Sequence, residues 1–372
     1  MQTAFFLYLC IWLFFSAFVL FKSNGRWQAV NLSFCIVLVL FFAFFVGNRE
    51  FTVGSDTIEY LGYFEKISTL DWLEAYSYNR FEPAFSILTV IISRFGDFQF
   101  FLIFLSIIQI LLLLMVLSKF YSTKLVMLGG LTFLSYFVYF NLSINIIRQG
   151  IALPLIVLSV LHLCSENNKR AYFFALLACL FHYSSILIFI SLILAKIFRS
   201  PRRYISLWVC VSILSALNFF ELISTFVFDI LGISQQYAHI LSDYAQSRYV
   251  TGFRIDFFLF SSLPFGFIFF RKFFKIKYDE RLIRLESIYF ILNSAFIAAF
   301  FIPFSDRIGV FSWILVPLMF LFYNSKPKYR YKITEDINRP LLLFCSCIAV
   351  GIVGCVSFIY HPLMQVSNEV FS

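Results

Sequence analysis

The apolar residues of this chain lie in long uninterrupted runs, and this arrangement constrains the fold more than any other feature. A helix of about 20 apolar residues crosses a bilayer core, and only helices or closed barrels satisfy their backbone there. With 61% hydrophobic and 13% charged residues, the sequence predicts an all-α, polytopic integral membrane protein of about 10 to 12 transmembrane helices. The predicted spans are residues 3–21, 28–46, 98–118, 124–141, 146–163, 203–220, 255–270, 286–303, 310–323 and 341–360.

Two further apolar segments are awkward to place. Residues 82–96 are short and contain Pro83 and Arg94, whereas residues 171–195 are long and carry His182 at their centre. The positive-inside rule favours segment 82–96 at the outer surface and segment 171–195 as a re-entrant hairpin, because all Lys/Arg clusters then lie in the cytoplasm. The alternative is that both segments cross fully.

Both arrangements predict one transmembrane domain over residues 1–372, with two long outer loops at about 47–80 and 221–254. The net charge of +9 comes largely from short connectors between the spans, which the positive-inside rule explains without a nucleic-acid partner. The eight cysteines lie in or beside apolar runs and contain no Cys-x-x-Cys pair, so neither a disulfide framework nor a zinc site is predicted.

The sequence contains no P-loop, no dinucleotide glycine fingerprint and no His-Glu-x-x-His pattern. We therefore predict no cofactor and no bound metal. Membrane lipids are the expected surroundings, and a transferase of this kind would take a lipid-linked donor rather than a soluble nucleotide.

Polar residues that interrupt an apolar span are costly, so each is a candidate for function. Asn141, Asn145 and Arg148 follow one another at spacings of four and three, which would place them on one helix face, and Gln149 pairs with Asn145 at a spacing of four. The planar guanidinium of Arg148 suits bidentate binding of a phosphate. Its alternative role is that of an anchor whose charge reaches the membrane interface.

The first outer loop and segment 171–195 supply the candidate acid–base groups. Asp56 followed by Glu59 predicts a capped helix start. Arg80 and Glu82 close the loop and are near enough in sequence for an ion pair, although the Glu82 carboxylate could equally accept a proton. His182 is predicted to be a general base, a hydrogen-bond donor to a phosphate, or a structural hydrogen-bonding group.

Two other places carry candidate residues. Asp306 and Arg307 lie in a short turn between two spans, where a charged cap on a tight turn is the alternative explanation. Tyr237 and Tyr244 belong to an amphipathic stripe in the second outer loop. That stripe predicts either a helix lying on the membrane interface or an aromatic platform for sugar rings.

Taken together, these stretches resemble the EpsG family of bacterial exopolysaccharide proteins, relatives in role of the Wzy polymerases. The resemblance runs from about residue 47 to residue 310. It rests on Gly54-Ser55-Asp56-Thr57 with Tyr60, Glu82-Pro83, Asn145-x-x-Arg148-Gln149-x-x-Ala152, Phe181-His182-x-Ser184 and Asp306-Arg307.

The resemblance implies polymerisation of undecaprenyl-pyrophosphate-linked oligosaccharide units on the outer face of the bacterial cytoplasmic membrane. It also implies flippase and chain-length regulator proteins as partners. Such a reaction needs cations for the departing pyrophosphate and a base for the acceptor hydroxyl. The predicted substrate-binding residues are Arg148, Gln149, Asn145, Arg80, Arg307, Tyr237 and Tyr244, and the predicted catalytic residues are His182, Glu82, Asp56 and Asp306.

Three other functions fit the same sequence. A flippase or transporter for lipid-linked oligosaccharides would explain the membrane fold, although no internal repeat is evident. A membrane acyltransferase would use His182 as its base. An O-antigen ligase would use the same lipid-linked donor.

Overall fold

The computed structural model describes residues 28–78, 80–121, 123–134, 136–230, 251–273, 280–324, 326–329 and 332–334. The chain divides into two compact units, one of Met1–Ser185 with Asn324–Ser372 and one of Ile186–Tyr323. The prediction of a single domain over residues 1–372 stays a prediction.

The described part of the first unit is helical except for one short antiparallel strand pair, which the all-α prediction did not include. Its elements are α1 (Gln28–Gly47), α2 (Thr57–Ser68), α3 (Trp72–Ser77), α4 (Pro83–Ile92), α5 (Phe98–Phe120), α6 (Thr123–Leu134), α7 (Phe137–Ile144), α8 (Ile147–Cys164), α9 (Asn168–Cys179), a 3-10 turn (Tyr183–Ser185), β1 (Lys326–Tyr329) and β2 (Lys332–Thr334).

Helix α5 forms the centre of the first unit, with α1 and α8 packed against it. Gly47 at the end of α1 allows the close approach, since a Cβ there would lie 2.4 Å from the Cα of Ile103. The Asp97 side chain accepts a hydrogen bond from Phe100 N at 2.8 Å and so caps the start of α5. One face of α5 carries buried apolar side chains and the other carries exposed apolar side chains. This is expected for a helix that packs on the core with one face and contacts lipid with the other.

Helices α8 and α9 run antiparallel, and this pairing returns the chain to the start of α8. At one end the Ser159 hydroxyl donates to the Ala171 carbonyl at 2.8 Å. At the other end, the residues after α9 reach the first turn of α8 through Glu82, as described below. The segment predicted as a hairpin, 171–195, is interrupted between Cys179 and Ile186. Whether it returns or crosses stays a prediction.

The loop predicted to lie outside the membrane folds into α2 and α3 and packs its aromatic side chains against α4 and the start of α5. Tyr60, Phe64, Phe85, Phe98 and Phe101 are all buried in this cluster. The predicted helix does begin after Asp56, but its side chain makes no capping hydrogen bond with the helix. The backbone explains this correction, because Asp56 is itself helical (φ −89°, ψ −7°) whereas a capping side chain needs extended backbone.

The described residues of the second unit form α10 (Ile186–Leu194), α11 (Pro201–Ala216), α12 (Phe219–Ile230), α13 (Ile255–Ser261), α14 (Leu263–Phe273), α15 (Glu280–Ala298), α16 (Asp306–Trp313) and α17 (Val316–Asn324). A buried polar network surrounds α15. Asn293 accepts from Trp208 Nε1 at 2.7 Å and donates to Ser261 and Ser312 at 2.9 Å each. The Tyr204 hydroxyl donates to the Glu286 carboxylate.

Among the described residues, two helices are long and apolar enough to cross a membrane, namely α5 and α8. Two bent pairs would raise this number to four: Leu125–Leu134 with Phe137–Ile144, bent by 68°, and Pro201–Ala216 with Phe219–Phe226, bent by 72°. The predicted total of about 10 to 12 spans is therefore not confirmed, and runs 3–21 and 341–360 lie outside the described residues.

Three predicted spans, 124–141, 203–220 and 310–323, are each divided into two helices, whereas a single turn residue, Ser262, interrupts 255–270. Tyr136 is extended between α6 and α7. Asn218 has φ +55° between α11 and α12, a left-handed conformation that asparagine tolerates better than most residues. Pro264 and Pro317 each lie at the second position of a new helix, where proline fits the helix start but cannot continue a preceding one.

Candidate functional site

A buried glutamate holds together three segments of the first unit. Glu82 immediately precedes α4, whose first residue is Pro83, a residue whose fixed φ suits a helix start. The next amide, Ala84 N, donates to the carbonyl of Leu180 at 2.9 Å. The start of α4 is therefore tied directly to the end of α9, and Glu82 lies against the turn that carries His182.

The Glu82 carboxylate has a partner on each oxygen. Oε2 accepts a hydrogen bond from Arg148 Nη1 at 2.5 Å. Oε1 accepts one from Tyr183 N at 3.1 Å and lies 3.3 Å from His182 Nδ1. Only 4% of the Glu82 side chain is exposed, so these contacts, rather than water, solvate its charge.

Opposing effects act on the pKa of Glu82, which lies outside α5 and α8. Burial raises this pKa, but the contact with His182, the hydrogen bond from Arg148 and the positive charge of Arg148 outweigh burial and lower the pKa to about 2. Glu82 is therefore a carboxylate at neutral pH and a very weak base.

Arg148 lies in the first turn of α8 with its guanidinium group partly fixed. Besides the bond to Glu82, its Nε donates to the Tyr60 hydroxyl at 3.4 Å, and its Cζ lies 4.6 Å from the centre of the Phe81 ring. Its Nη2 makes no hydrogen bond to any of the residues that the structure describes. With 21% of the side chain exposed, one edge of the fork can reach a ligand.

The predicted polar face of Asn141, Asn145 and Arg148 is wrong. Helix α7 ends at Ile144 and α8 begins at Ile147, so Asn145 lies in the break and Arg148 starts a new helix. Asn145 Nδ2 donates to Asn141 Oδ1 at 2.8 Å, away from Arg148. Asn145 instead adjoins Gly54, whose φ of +96° favours glycine and whose added Cβ would lie 2.7 Å from Asn145 Oδ1.

The ion pair that sequence nearness allowed between Arg80 and Glu82 is not formed. Arg80 forms an ion pair with Glu59 of α2, and about half of each side chain is exposed. The Cζ atom of Arg80 lies 5.8 Å from the centre of the Phe81 ring. Sequence nearness suggested the wrong partner because α2 packs against this segment and supplies a closer carboxylate.

The other predicted site residues are not brought into this cluster by any described contact. Gln149 is buried beside Arg148, with 1% of its surface exposed. Asp56 lies half-buried at the start of α2, where it accepts from the Ser55 hydroxyl at 3.1 Å. Asp306 and Arg307 belong to the second unit: Asp306 is buried at the start of α16, and the Arg307 Cζ lies 5.3 Å from the Phe304 ring centre. Tyr237 and Tyr244 lie outside the described residues.

Arg49 and Phe81 were not predicted as site residues from the sequence. Arg49 is 3% exposed and donates to the carbonyls of Val46 at 2.9 Å and Ile144 at 3.0 Å, so it joins the C-terminal ends of α1 and α7. Burial lowers its pKa to about 10. In the sequence, Arg49 resembles any charge just beyond a membrane span, and nothing marks it as buried.

Within the described ranges, no group of three or more His, Cys, Asp or Glu side chains is arranged to hold a metal ion. The prediction that the protein needs no metal and no cofactor stays a prediction.

Comparison with protein families gives a match that covers the cluster around Glu82. The chain matches neither a curated protein nor a solved structure. A model of the EpsG family matches residues 32–368, which include Tyr60, Glu82, Arg148 and His182. Since the matched region is most of the chain, this protein belongs to the EpsG family.

Proposed function

We propose that this protein is a membrane glycosyltransferase. It would polymerise undecaprenyl-pyrophosphate-linked oligosaccharide units into a surface polysaccharide on the outer face of the bacterial cytoplasmic membrane. EpsG family membership supports a role in polysaccharide polymerisation. The observation that carries the proposal is the buried Glu82 carboxylate, which lies between His182 and Arg148.

In this proposal His182 is the general base. The pKa of about 2 makes Glu82 unsuited to accept a proton near neutral pH. Its contact with His182 Nδ1 instead favours the tautomer with the proton on Nδ1, which leaves Nε2 able to take a proton. This division of roles follows the logic of carboxylate–histidine pairs in hydrolases, where the carboxylate orients the ring and stabilises its charged form.

Arg148 would stabilise the leaving group. In the proposed step an acceptor hydroxyl gives its proton to His182 and its oxygen attacks the anomeric carbon of the donor sugar. The bond from that carbon to the pyrophosphate oxygen breaks, and the electron pair leaves with the lipid pyrophosphate. A guanidinium held by Glu82 and Tyr60 is already oriented when this negative charge develops, which is the condition for effective electrostatic stabilisation.

The substrate class is consistent with the surroundings of the cluster. Arg148 begins α8, a helix apolar and long enough to cross a membrane, so a donor anchored in the bilayer could present its pyrophosphate there. We propose lipid-linked oligosaccharide as substrate and membrane lipids as surroundings, with flippase and chain-length regulator proteins as partners.

The test is a gel of lipid-linked glycans from a strain that lacks this protein. A polymerase defect should leave a single-unit band without a ladder, and plasmid-borne wild-type protein should restore the ladder. His182→Gln should fail to restore it, whereas the matched control His162→Gln should succeed, since His162 stacks on Phe174 away from Glu82. A normal ladder in the deletion strain would refute the proposal, and a normal ladder lacking acyl groups would favour an acyltransferase.

A further inference from the structure

Two arginine–glutamate pairs flank one phenylalanine ring at the edge of the proposed site. The Cζ atoms of Arg148 and Arg80 lie 4.6 Å and 5.8 Å from the centre of the Phe81 ring. Arg148 pairs with Glu82, and Arg80 pairs with Glu59. Two guanidinium groups thus contact one aromatic side chain, because the face of an aromatic ring attracts cations electrostatically.

Helix α2 contacts both arginines through consecutive residues. Glu59 pairs with Arg80, and the hydroxyl of Tyr60 accepts from Arg148 Nε. Arg80, Phe81 and Glu82 are likewise consecutive. The two pairs therefore belong to one local structure, in which the position of α2 fixes both cations.

The two ion pairs differ in solvent exposure. This difference decides from which arginine a ligand can displace the carboxylate. The Glu82 side chain is 4% exposed, so separating it from Arg148 would leave a buried charge without a partner. The Arg80 and Glu59 side chains are 51% and 58% exposed. Water solvates both ions there, so the pair contributes little net stability and can open at small cost.

We propose that Arg80 is a second binding group for the diphosphate of the substrate. When no substrate is bound, the Glu59 carboxylate pairs with Arg80 in place of the diphosphate. The diphosphate would displace the Glu59 carboxylate and contact Arg80 while Arg148 keeps its pair with Glu82. This inference rests on the proposed function for the identity of the substrate. Glu59 is then a residue that sets how tightly the protein binds a diphosphate.

The test measures binding of radiolabelled inorganic pyrophosphate to the purified full-length protein in detergent at low ionic strength. Glu59→Gln should bind pyrophosphate about two- to fivefold tighter than wild type, the factor that corresponds to loss of one exposed ion pair. Glu65→Gln is the matched control, because it removes the same charge from an exposed position of the same helix. It should bind like wild type.

Further variants separate the local effect from a general one. Arg80→Gln should weaken binding, and adding it to Glu59→Gln should abolish the gain. Inorganic phosphate should show a smaller gain than pyrophosphate. Anionic phospholipid added to the detergent micelles should show none, as expected for a site that prefers a diphosphate to a single lipid phosphate.

Three results would overturn the inference: no measurable pyrophosphate binding by wild type, no gain in Glu59→Gln, or an equal gain in Glu65→Gln. Because binding is measured without polymer formation, the two proposals can fail separately. A gain confined to Glu59→Gln, together with a normal glycan ladder in the deletion strain, would keep the diphosphate site and reject the polymerase.

Discussion

Replacing Glu82 with Gln removes one negative charge and leaves the side chain almost the same size. Three groups lose their shared partner: the guanidinium of Arg148, the ring of His182 and the amide of Tyr183. The amide can still bond to a glutamine oxygen. The guanidinium remains mostly buried without an opposite charge, which is the costly part of the substitution.

The size of this cost follows from the pKa of Glu82. A pKa that falls from 4.5 to about 2 in the folded protein corresponds to about 3 kcal/mol of stability at neutral pH. Because the folded pKa is lowered, this contribution is complete above pH 4.5 and is lost as the pH falls toward 2. About half of it should remain near pH 3.

The assay is equilibrium unfolding of the purified protein in mixed micelles, compared between wild type and Glu82→Gln from pH 7 to pH 3. The difference should be about 3 kcal/mol at pH 7 and should shrink in acid. Glu59→Gln is the matched control, since its exposed pair with Arg80 should contribute less than about 1 kcal/mol. A difference below 1 kcal/mol at pH 7, or one independent of pH, would refute the assigned electrostatic role of Glu82.

Three further substitutions test the site and its support. Arg148→Lys should insert normally yet form no polymer ladder, because an ammonium lacks the planar fork. Arg94→Lys is the control: Arg94 donates to backbone carbonyls, so this variant should keep the ladder. His182→Gln should lower the polymerisation rate by about 100-fold or more, and a rate equal to that of His162→Gln would count against a general base. Gly150→Ala should destabilise the protein by about 1–3 kcal/mol in the same unfolding assay, since its Cβ would lie 2.4 Å from a backbone carbonyl; unchanged stability would contradict this packing.

The apolar pattern predicted the main helices of the first unit because a long apolar run has few alternatives in a membrane. Residues 28–46, 98–118 and 146–163 are helical nearly to their predicted ends. The pattern did not predict where runs break. Ile146 has ψ 56° between α7 and α8, and an isoleucine within an apolar run carries no signal of such a break.

The sequence placed Glu82, Arg148 and His182 in one predicted site, but it did not predict which side chains would contact one another. Their meeting depends on the antiparallel pairing of α8 with α9 and on the bond from Ala84 to Leu180, which are contacts between distant segments. Charge and burial cost identify a residue as unusual, whereas packing alone decides which partner it meets.

Four arginines of the first unit look alike in sequence, because each follows or begins an apolar segment, yet their partners divide them into two kinds. Arg49 and Arg94 donate to backbone carbonyls at helix ends. Arg148 and Arg80 pair with carboxylates.

A bound anion that took an arginine from helix-end carbonyls would leave these acceptors without a donor, since the helix itself cannot supply one. An anion that takes an arginine from an exposed carboxylate leaves that carboxylate to water. For these reasons we expect the proposed diphosphate to compete for Arg80 at small cost and to share Arg148 through its remaining nitrogen, and we expect it not to bind Arg49 or Arg94.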